Sequence, residues 1–317
     1  MKSAPKRKRF LGWWVVGLLL SVAVSCTPEN PVSEEARRHG KLYIVTTTGI
    51  LRDAVAHVAG DRAEVEALMG PGVDPHLYKA ALGDLQKLRQ ADIIIYNGLH
   101  LEGKMGEVLE KLARQKNVWA ATDALPEKSL RKTPAFADSH DPHVWFDVQL
   151  WSQLVEGLAQ KLKRFDAAHA QTYQTNAQQY RLQLDSLHRW TKNEISSIPA
   201  QQRILITAHD AFGYFGRAYG IDVRGLQGIS TVSEFGLQDV SGLVNFIVNR
   251  KVKAVFVETS ISQKAIEAVL EGARQKGHKV KLGGSLYSDA LGEAGGPAGS
   301  YVGMVQTNVK TVVTALK

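Results

Sequence analysis

At 317 residues the chain exceeds the size at which one hydrophobic core usually stops growing, so two domains are expected. With 44% hydrophobic and 22% charged residues, the composition is that of a folded soluble protein, which excludes a disordered chain or one embedded in a membrane along its length. The formal charge is +8, but Lys2, Lys6, Arg7, Lys8 and Arg9 supply five of those positives, and what is left argues against a nucleic-acid partner.

Those five charges precede the apolar run 10–24, which is too short to span a bilayer comfortably, about 20 residues being needed. A basic flank followed by a short apolar stretch has the form of a secretory signal, here residues 1–25. The run ends in Ala23-Val24-Ser25-Cys26, and Cys26 is the single cysteine of the chain. This resembles a bacterial lipoprotein signal, with Ala where Leu is usual, in which the cysteine is acylated and becomes the first mature residue. A plain signal peptide cut nearby and an uncleaved amino-terminal anchor are the alternatives. Residues 26–40, with Pro28, Pro31 and several charges, read as a flexible tether.

From Lys41 onward, short β-type runs alternate with amphipathic helical stretches. Residues 42–45 predict a strand, 51–58 a helix, 63–68 a strand, 82–89 a helix and 93–96 a buried strand; such alternation implies a parallel sheet flanked by helices. Residues 148–164 predict one helix. A longer one follows from Asp166, taken as its N-cap, to about residue 195, where Pro199 stops it. It contains neither Pro nor Gly, and about 30 residues at 1.5 Å each make a stiff rod of roughly 45 Å. The alternation then resumes, with strands at 204–206, near 223, at 254–257 and at 280–282, and helices at 212–219, 238–249, 263–276 and 301–316. The fold class is therefore α/β: an amino-terminal lobe over 41–165 and a carboxy-terminal lobe over 197–317, each a parallel-type sheet flanked by helices, bridged by one long α-helix over 166–196.

The tripeptide Asp-Pro-His occurs twice, at Asp74-Pro75-His76 and Asp141-Pro142-His143. His209 in Ala-His-Asp and Asp289 in Tyr-Ser-Asp complete a set of three imidazoles and one carboxylate, enough to close a divalent-metal site. Each proline fixes its own φ and pushes the preceding residue out of the helical region, so the histidine leaves a stiff loop. The candidates are spread along most of the chain, each just after or between regular elements, where ligands of open α/β sheets gather. His140 competes with His143, although Pro142 positions the latter. His100 follows an Asn-Gly turn and reads as packing or as a contact behind the ligands, not as a ligand. Asp289 has a second reading as a turn cap. Asp147 and Asp210 stand near enough in sequence to orient imidazoles from behind.

Six segments together resemble the solute-binding receptors of bacterial ABC importers for zinc and manganese, the cluster A-I or TroA-like lipoproteins. They are Val73-Asp74-Pro75-His76-Leu77-Tyr78, the stretch from Tyr96 to Met105 containing Asn97-Gly98-Leu99-His100-Leu101-Glu102, Asp141-Pro142-His143-Val144-Trp145-Phe146-Asp147, His209-Asp210-Ala211-Phe212-Gly213-Tyr214-Phe215, Gly225-Leu226-Gln227-Gly228-Ile229-Ser230-Thr231, and Gly284-Ser285-Leu286-Tyr287-Ser288-Asp289-Ala290-Leu291-Gly292. The resemblance covers essentially the whole mature chain. It implies metal ligation by His76, His143, His209 and Asp289, one Zn2+ or Mn2+ ion as transported ligand, and a permease with its cytoplasmic ATPase as partners. It also implies a monomer exported and held at the membrane by lipid on Cys26. Two departures stand out. The histidine-rich loop that many zinc receptors carry before the second ligand is reduced to His140, and His209 stands where several manganese receptors have Glu.

Zinc is favoured by three neutral imidazoles, a carboxylate and the Irving–Williams order, whereas a bidentate Asp289 makes manganese or iron acceptable. A zinc hydrolase is the competing class. It needs three protein ligands, a vacant position for water and a nearby carboxylate base, for which Glu258 at a strand end is the candidate. Four protein ligands leave no such vacancy. A surface adhesin is a third class, for which the chain has no specific feature.

Overall fold

A computed structural model describes residues 31–133 and 136–317, together with residues 1 and 4. The expected signal segment, Cys26 and the first part of the tether lie outside the described residues. Among those described, no helix is long and apolar enough to cross a membrane.

The segment expected to be a tether is partly folded. Residues Pro31–Arg38 form helix α1, in which Ser33 and Ala36 are fully buried and the Lys41 amide closes the end on the Ala36 carbonyl at 2.8 Å. Ala36 joins a cluster with Tyr43, Val45, Met69 and Ile94, so docking onto the sheet, rather than any strong local pattern, orders this stretch.

The amino-terminal lobe follows with β1 (Leu42–Thr48), α2 (Gly49–Ala59), β2 (Ala63–Met69), α3 (Leu82–Gln90), β3 (Ile93–Tyr96), α4 (Gly106–Ala113) and β4 (Asn117–Ala120). The four strands pair in parallel in the order β2-β1-β3-β4. β1 and β3 are apolar on consecutive residues because a central parallel strand is covered on both faces. A two-residue strand β5 (Lys132–Thr133) pairs antiparallel with β6 (Phe136–His140) and leads to α5 (Val148–Phe165).

The long helix, α6, spans Ala170–Ser196, starting three residues later than the Asp166 cap predicts. Asp166 instead ends α5: its amide bonds the Leu162 carbonyl, and a 3-10 turn, Ala167–His169, intervenes. Its carboxylate still serves the next helix, accepting the Tyr173 hydroxyl at 2.6 Å and pairing with His169 Nδ1 at 2.8 Å, contacts that a cap reading from sequence mistakes for amide capping. On α6 the residues Tyr173, Ala177, Tyr180, Leu184, Leu187, Thr191 and Ile195 are buried, a stripe spaced by three and four that faces α2, α5 and α10.

The carboxy-terminal lobe contains β7 (Ile204–His209), α7 (Gly213–Tyr219), β8 (Asp222–Gln227), α8 (Leu237–Arg250), β9 (Ala254–Glu258), α9 (Lys264–Gln275), β10 (Lys281–Leu286) and α10 (Tyr301–Leu316). β7 pairs in parallel with β8, β9 with β10, and β7 lies against β9. Strand β10 extends past the expected 280–282 through Gly283 and Gly284, whose lack of side chains hides the strand signal. A Cβ on Gly283 would stand 2.5 Å from the Phe256 ring, so glycine is what lets β10 approach the core.

One apolar cluster runs through both lobes, from Ile44 and Ile93 past Tyr180 and Leu184 to Leu205, Phe256 and Val309. Smaller clusters lie on the outer side of each lobe. Because α6 contributes to the shared cluster along its whole length, Leu184→Ala is expected to cost about 2–5 kcal/mol and to shift a single thermal transition. Two transitions, only one of them shifted, would show that the lobes unfold separately.

Candidate metal centre

The two Asp-Pro-His tripeptides fold in the same way. In each, the aspartate Oδ1 accepts the histidine amide two residues on, at 2.9 Å for Asp74 with His76 and 2.9 Å for Asp141 with His143. The carboxylate closes a turn that local geometry favours, and the proline between fixes its direction. The Pro142 carbonyl is further tied to Asn97 Nδ2 at 3.1 Å. Asn97 opens a turn in which Gly98, Leu99 and His100 all have positive φ, of 91°, 52° and 62°. Left-handed Leu and His are unfavourable alone. The buried Glu102 carboxylate fastens the turn, accepting the Asn97 amide at 2.7 Å, the Gly98 amide at 3.3 Å and the Thr47 hydroxyl at 2.7 Å.

From the other lobe, His209 ends β7 and Asp289 follows β10. Gly225 of β8 packs so closely against the end of β7 that a Cβ would lie 2.4 Å from the Asp210 nitrogen. The Asp289 loop is bound across the lobes: Trp145 Nε1 donates to the Ser288 carbonyl at 2.9 Å, and the Tyr301 hydroxyl donates to the Trp145 carbonyl at 2.6 Å.

The ligand-type atoms of His76, His143, His209 and Asp289 all lie within 4.8 Å of one another, and every one of the four residues is at most 2% exposed. His76 Nε2 is 3.4 Å from His143 Nε2; Asp289 is 3.3 Å from His209 Nε2, 3.5 Å from His143 Nε2 and 3.9 Å from His76 Nε2. Tetrahedral ligands about 2.0–2.1 Å from a zinc ion stand roughly 3.3–3.4 Å apart, so these separations fit an ion at the centre with small adjustments. Neither Asp289 oxygen has a hydrogen bond, which rules out a turn-capping role and leaves a buried carboxylate in need of a cation. His140 and His100 stand outside the group, both lining a cavity beside His76.

Behind the imidazoles stand two carboxylates. Asp141 Oδ1 is 2.8 Å from His143 Nδ1, and its other oxygen pairs with Arg131 Nη1. Glu258 Oε2 is 2.6 Å from His209 Nδ1, while Oε1 accepts the His209 amide at 2.9 Å. Such partners fix the ring and aim Nε2 inward. Asp147 does not take this part: it caps α5, accepting the amides of Gln149 at 3.1 Å and Leu150 at 3.2 Å. Asp210 is not the partner of His209 either, because β9 brings Glu258 to that nitrogen. Glu258 thus lies on the Nδ1 side of His209, behind the imidazole, and is not placed as the base a hydrolase would need.

Charge follows the same geometry. Burial pushes His76 down to about 3, so its imidazole is neutral at neutral pH. Burial also acts to lower His209, but Glu258 and Asp289 on either side outweigh it and hold the imidazole well above the ordinary range. Burial would raise Asp289; the three imidazoles prevail and keep it below the usual carboxylate range.

A fold of two α/β lobes on one long helix, closing a three-histidine, one-carboxylate cage between them, defines the metal-receptor component of an uptake system, not an enzyme. The chain belongs to the family described as zinc-uptake complex component A, periplasmic (ZnuA), which matches residues 44–315. It is 48% identical to the manganese-binding lipoprotein MntA of Bacillus subtilis (strain 168) over 278 residues, covering 87% of this chain and 90% of that protein. It is 47% identical to the zinc-binding protein TroA of Treponema pallidum (strain Nichols) over 284 residues, 90% of this chain and 92% of that one. The solved structure of the periplasmic zinc-binding protein TroA from Treponema pallidum superposes with a TM-score of 0.84 at 46% identity, covering 87% of this chain and 99% of the other.

Glu258→Gln is expected to weaken metal affinity about 10–100-fold in a competition titration by loosening the His209 ring. Asp147→Ala should instead cost about 1 kcal/mol of stability through the lost cap and leave affinity unchanged. Reversal of the two effects would show that Asp147 serves the metal.

Proposed function

We propose that the protein is an exported, lipid-anchored receptor that captures one zinc or manganese ion through His76, His143, His209 and Asp289 and delivers it to the permease of an ABC importer. The observation that carries this reading is the Asp289 carboxylate, buried among three imidazoles with both oxygens free of hydrogen bonds. Three neutral imidazoles and a carboxylate suit tetrahedral zinc, and two free carboxylate oxygens suit the higher coordination number of manganese. The two relatives described above, one named for manganese and one for zinc, are almost equally similar to this chain. Selection between the metals then rests on supply and on the transporter. One chain carries all four ligands, which supports action as a monomer.

Protein purified without added metal or chelator is expected to contain one divalent ion per chain, and a triple His76/His143/His209→Ala variant none. His209 holds its proton above the usual histidine range, so a metal entering at neutral pH must displace it; affinity should rise with pH and fall as pH drops. Calorimetry in buffers of different ionisation enthalpy should read about one proton released per ion. Two equivalent tight sites, or binding without proton release, would contradict the ligand set.

Cys26 is the proposed acylation site, in keeping with the lipoprotein name of the Bacillus relative. Cys26→Ser should move the protein from the membrane fraction to the soluble fraction while leaving metal binding intact. Wild-type mature chain without lipid by mass spectrometry would remove the anchor.

A further inference from the structure

A cavity of about 340 Å³ opens beside His76. Leu99, His100 and Pro142 form part of its wall, and the opposite wall is made by Ile229, Ser230, Val232 and Ser233, from the segment 228–236 that joins β8 to α8. Most of that segment is exposed: Val232 at 47% and Phe235 at 38% reach outward, and Thr231 alone is buried, at 9%. The Thr231 hydroxyl donates to Asp74 Oδ2 at 2.7 Å, across the gap between the lobes. The other oxygen of Asp74 accepts the His76 amide. At the near end, Gln227 pairs in register with His209, and its Nε2 donates to the carbonyls of Thr231, at 2.8 Å, and Ser233. A run of hydrogen bonds therefore leads from the strand end beside one candidate ligand, along the cavity, to the backbone of another.

Resting on the metal centre described above, we propose that residues 228–236 are a strap along the passage to His76, and that Thr231 is the positioning residue whose hydroxyl latches it to Asp74 and sets how fast the metal leaves. The strap has little buried surface besides Thr231, so its opening is a local event that leaves both lobes folded. Valine has the shape of threonine without the hydroxyl, and serine keeps the hydroxyl.

In the full chain, Thr231→Val should release Zn2+ to excess EDTA about tenfold faster in stopped flow, the size expected for one hydrogen bond to a charged group, while Thr231→Ser stays close to wild type. Asp74→Ala combined with Thr231→Val should release no faster than Asp74→Ala alone. Hydrogen exchange of metal-free protein gives a reading that needs no ion: amides of residues 229–235 should exchange faster in Thr231→Val and not in Thr231→Ser. Equal release and exchange in the Val and Ser variants, or a full further tenfold in the double variant, would overturn the strap while leaving the ligands in place. A wild-type chain that retains no zinc would overturn the ligand reading, and hydrogen exchange would then decide the strap.

Discussion

The cost of burying the Asp289 carboxylate shapes the rest of the molecule. An ionised carboxylate in an apolar interior with neither oxygen hydrogen-bonded is tolerated only with positive charge close by. Three imidazoles converge on it, and convergence requires that each ring be held from its outer side. Asp141 and Glu258 hold two of them, and Asp141 is in turn held by Arg131. Asp141 is thus itself compensated by the partly exposed Arg131, whereas the buried Glu258 has the amide and the ring of His209 as its partners. The lobes do not merely flank this arrangement: Trp145, Tyr301 and the Ser288 carbonyl tie the loop of His143 to the loop of Asp289, so the cage is built from contacts that neither lobe makes alone.

Most of the architecture was legible because it rests on local pattern. The run Ile93-Ile94-Ile95 reads as a buried parallel strand, and the stripe from Tyr173 to Ile195 reads as one long helix. Where the reading slipped, the deciding contact was distant or the side chain was missing. Helix α1 depends on a sheet that forms after it in sequence, the second half of β10 is written in glycine, and Asp166 serves α6 through a hydroxyl and a ring instead of an amide. The candidate ligands were visible as residue types in stiff, repeated motifs. Their supports were not. Glu258 and His209 are 49 residues apart and Thr231 and Asp74 are 157 apart, and only strand order and loop packing bring them together. Asp147 and Asp210 are nearer in sequence to the imidazoles, yet sequence nearness says little about which carboxylate a strand end will meet.

The turn at Asn97 shows the same economy on a smaller scale. A buried carboxylate, Glu102, holds two residues in backbone conformations that they avoid, and the result is an amide aimed at the Pro142 carbonyl. Strain of this kind is kept where it fixes a loop whose position matters. A more relaxed turn would leave the Asp-Pro-His loop free to drift, and His143 with it.

The apolar cluster that passes through both lobes has a consequence for the order in which the chain becomes competent. Its inner face includes Ile44 and Ile93 near the start and Tyr301, Val305 and Val309 near the end. Until α10 arrives, the shared cluster lacks the face that this helix supplies, and the fourth member of the cage, Asp289, lies only a short distance before it. A chain made only as far as the amino-terminal lobe therefore carries His76 and His143 without His209 or Asp289. Closure of the four-membered cage waits for the carboxyl-terminal part of the chain.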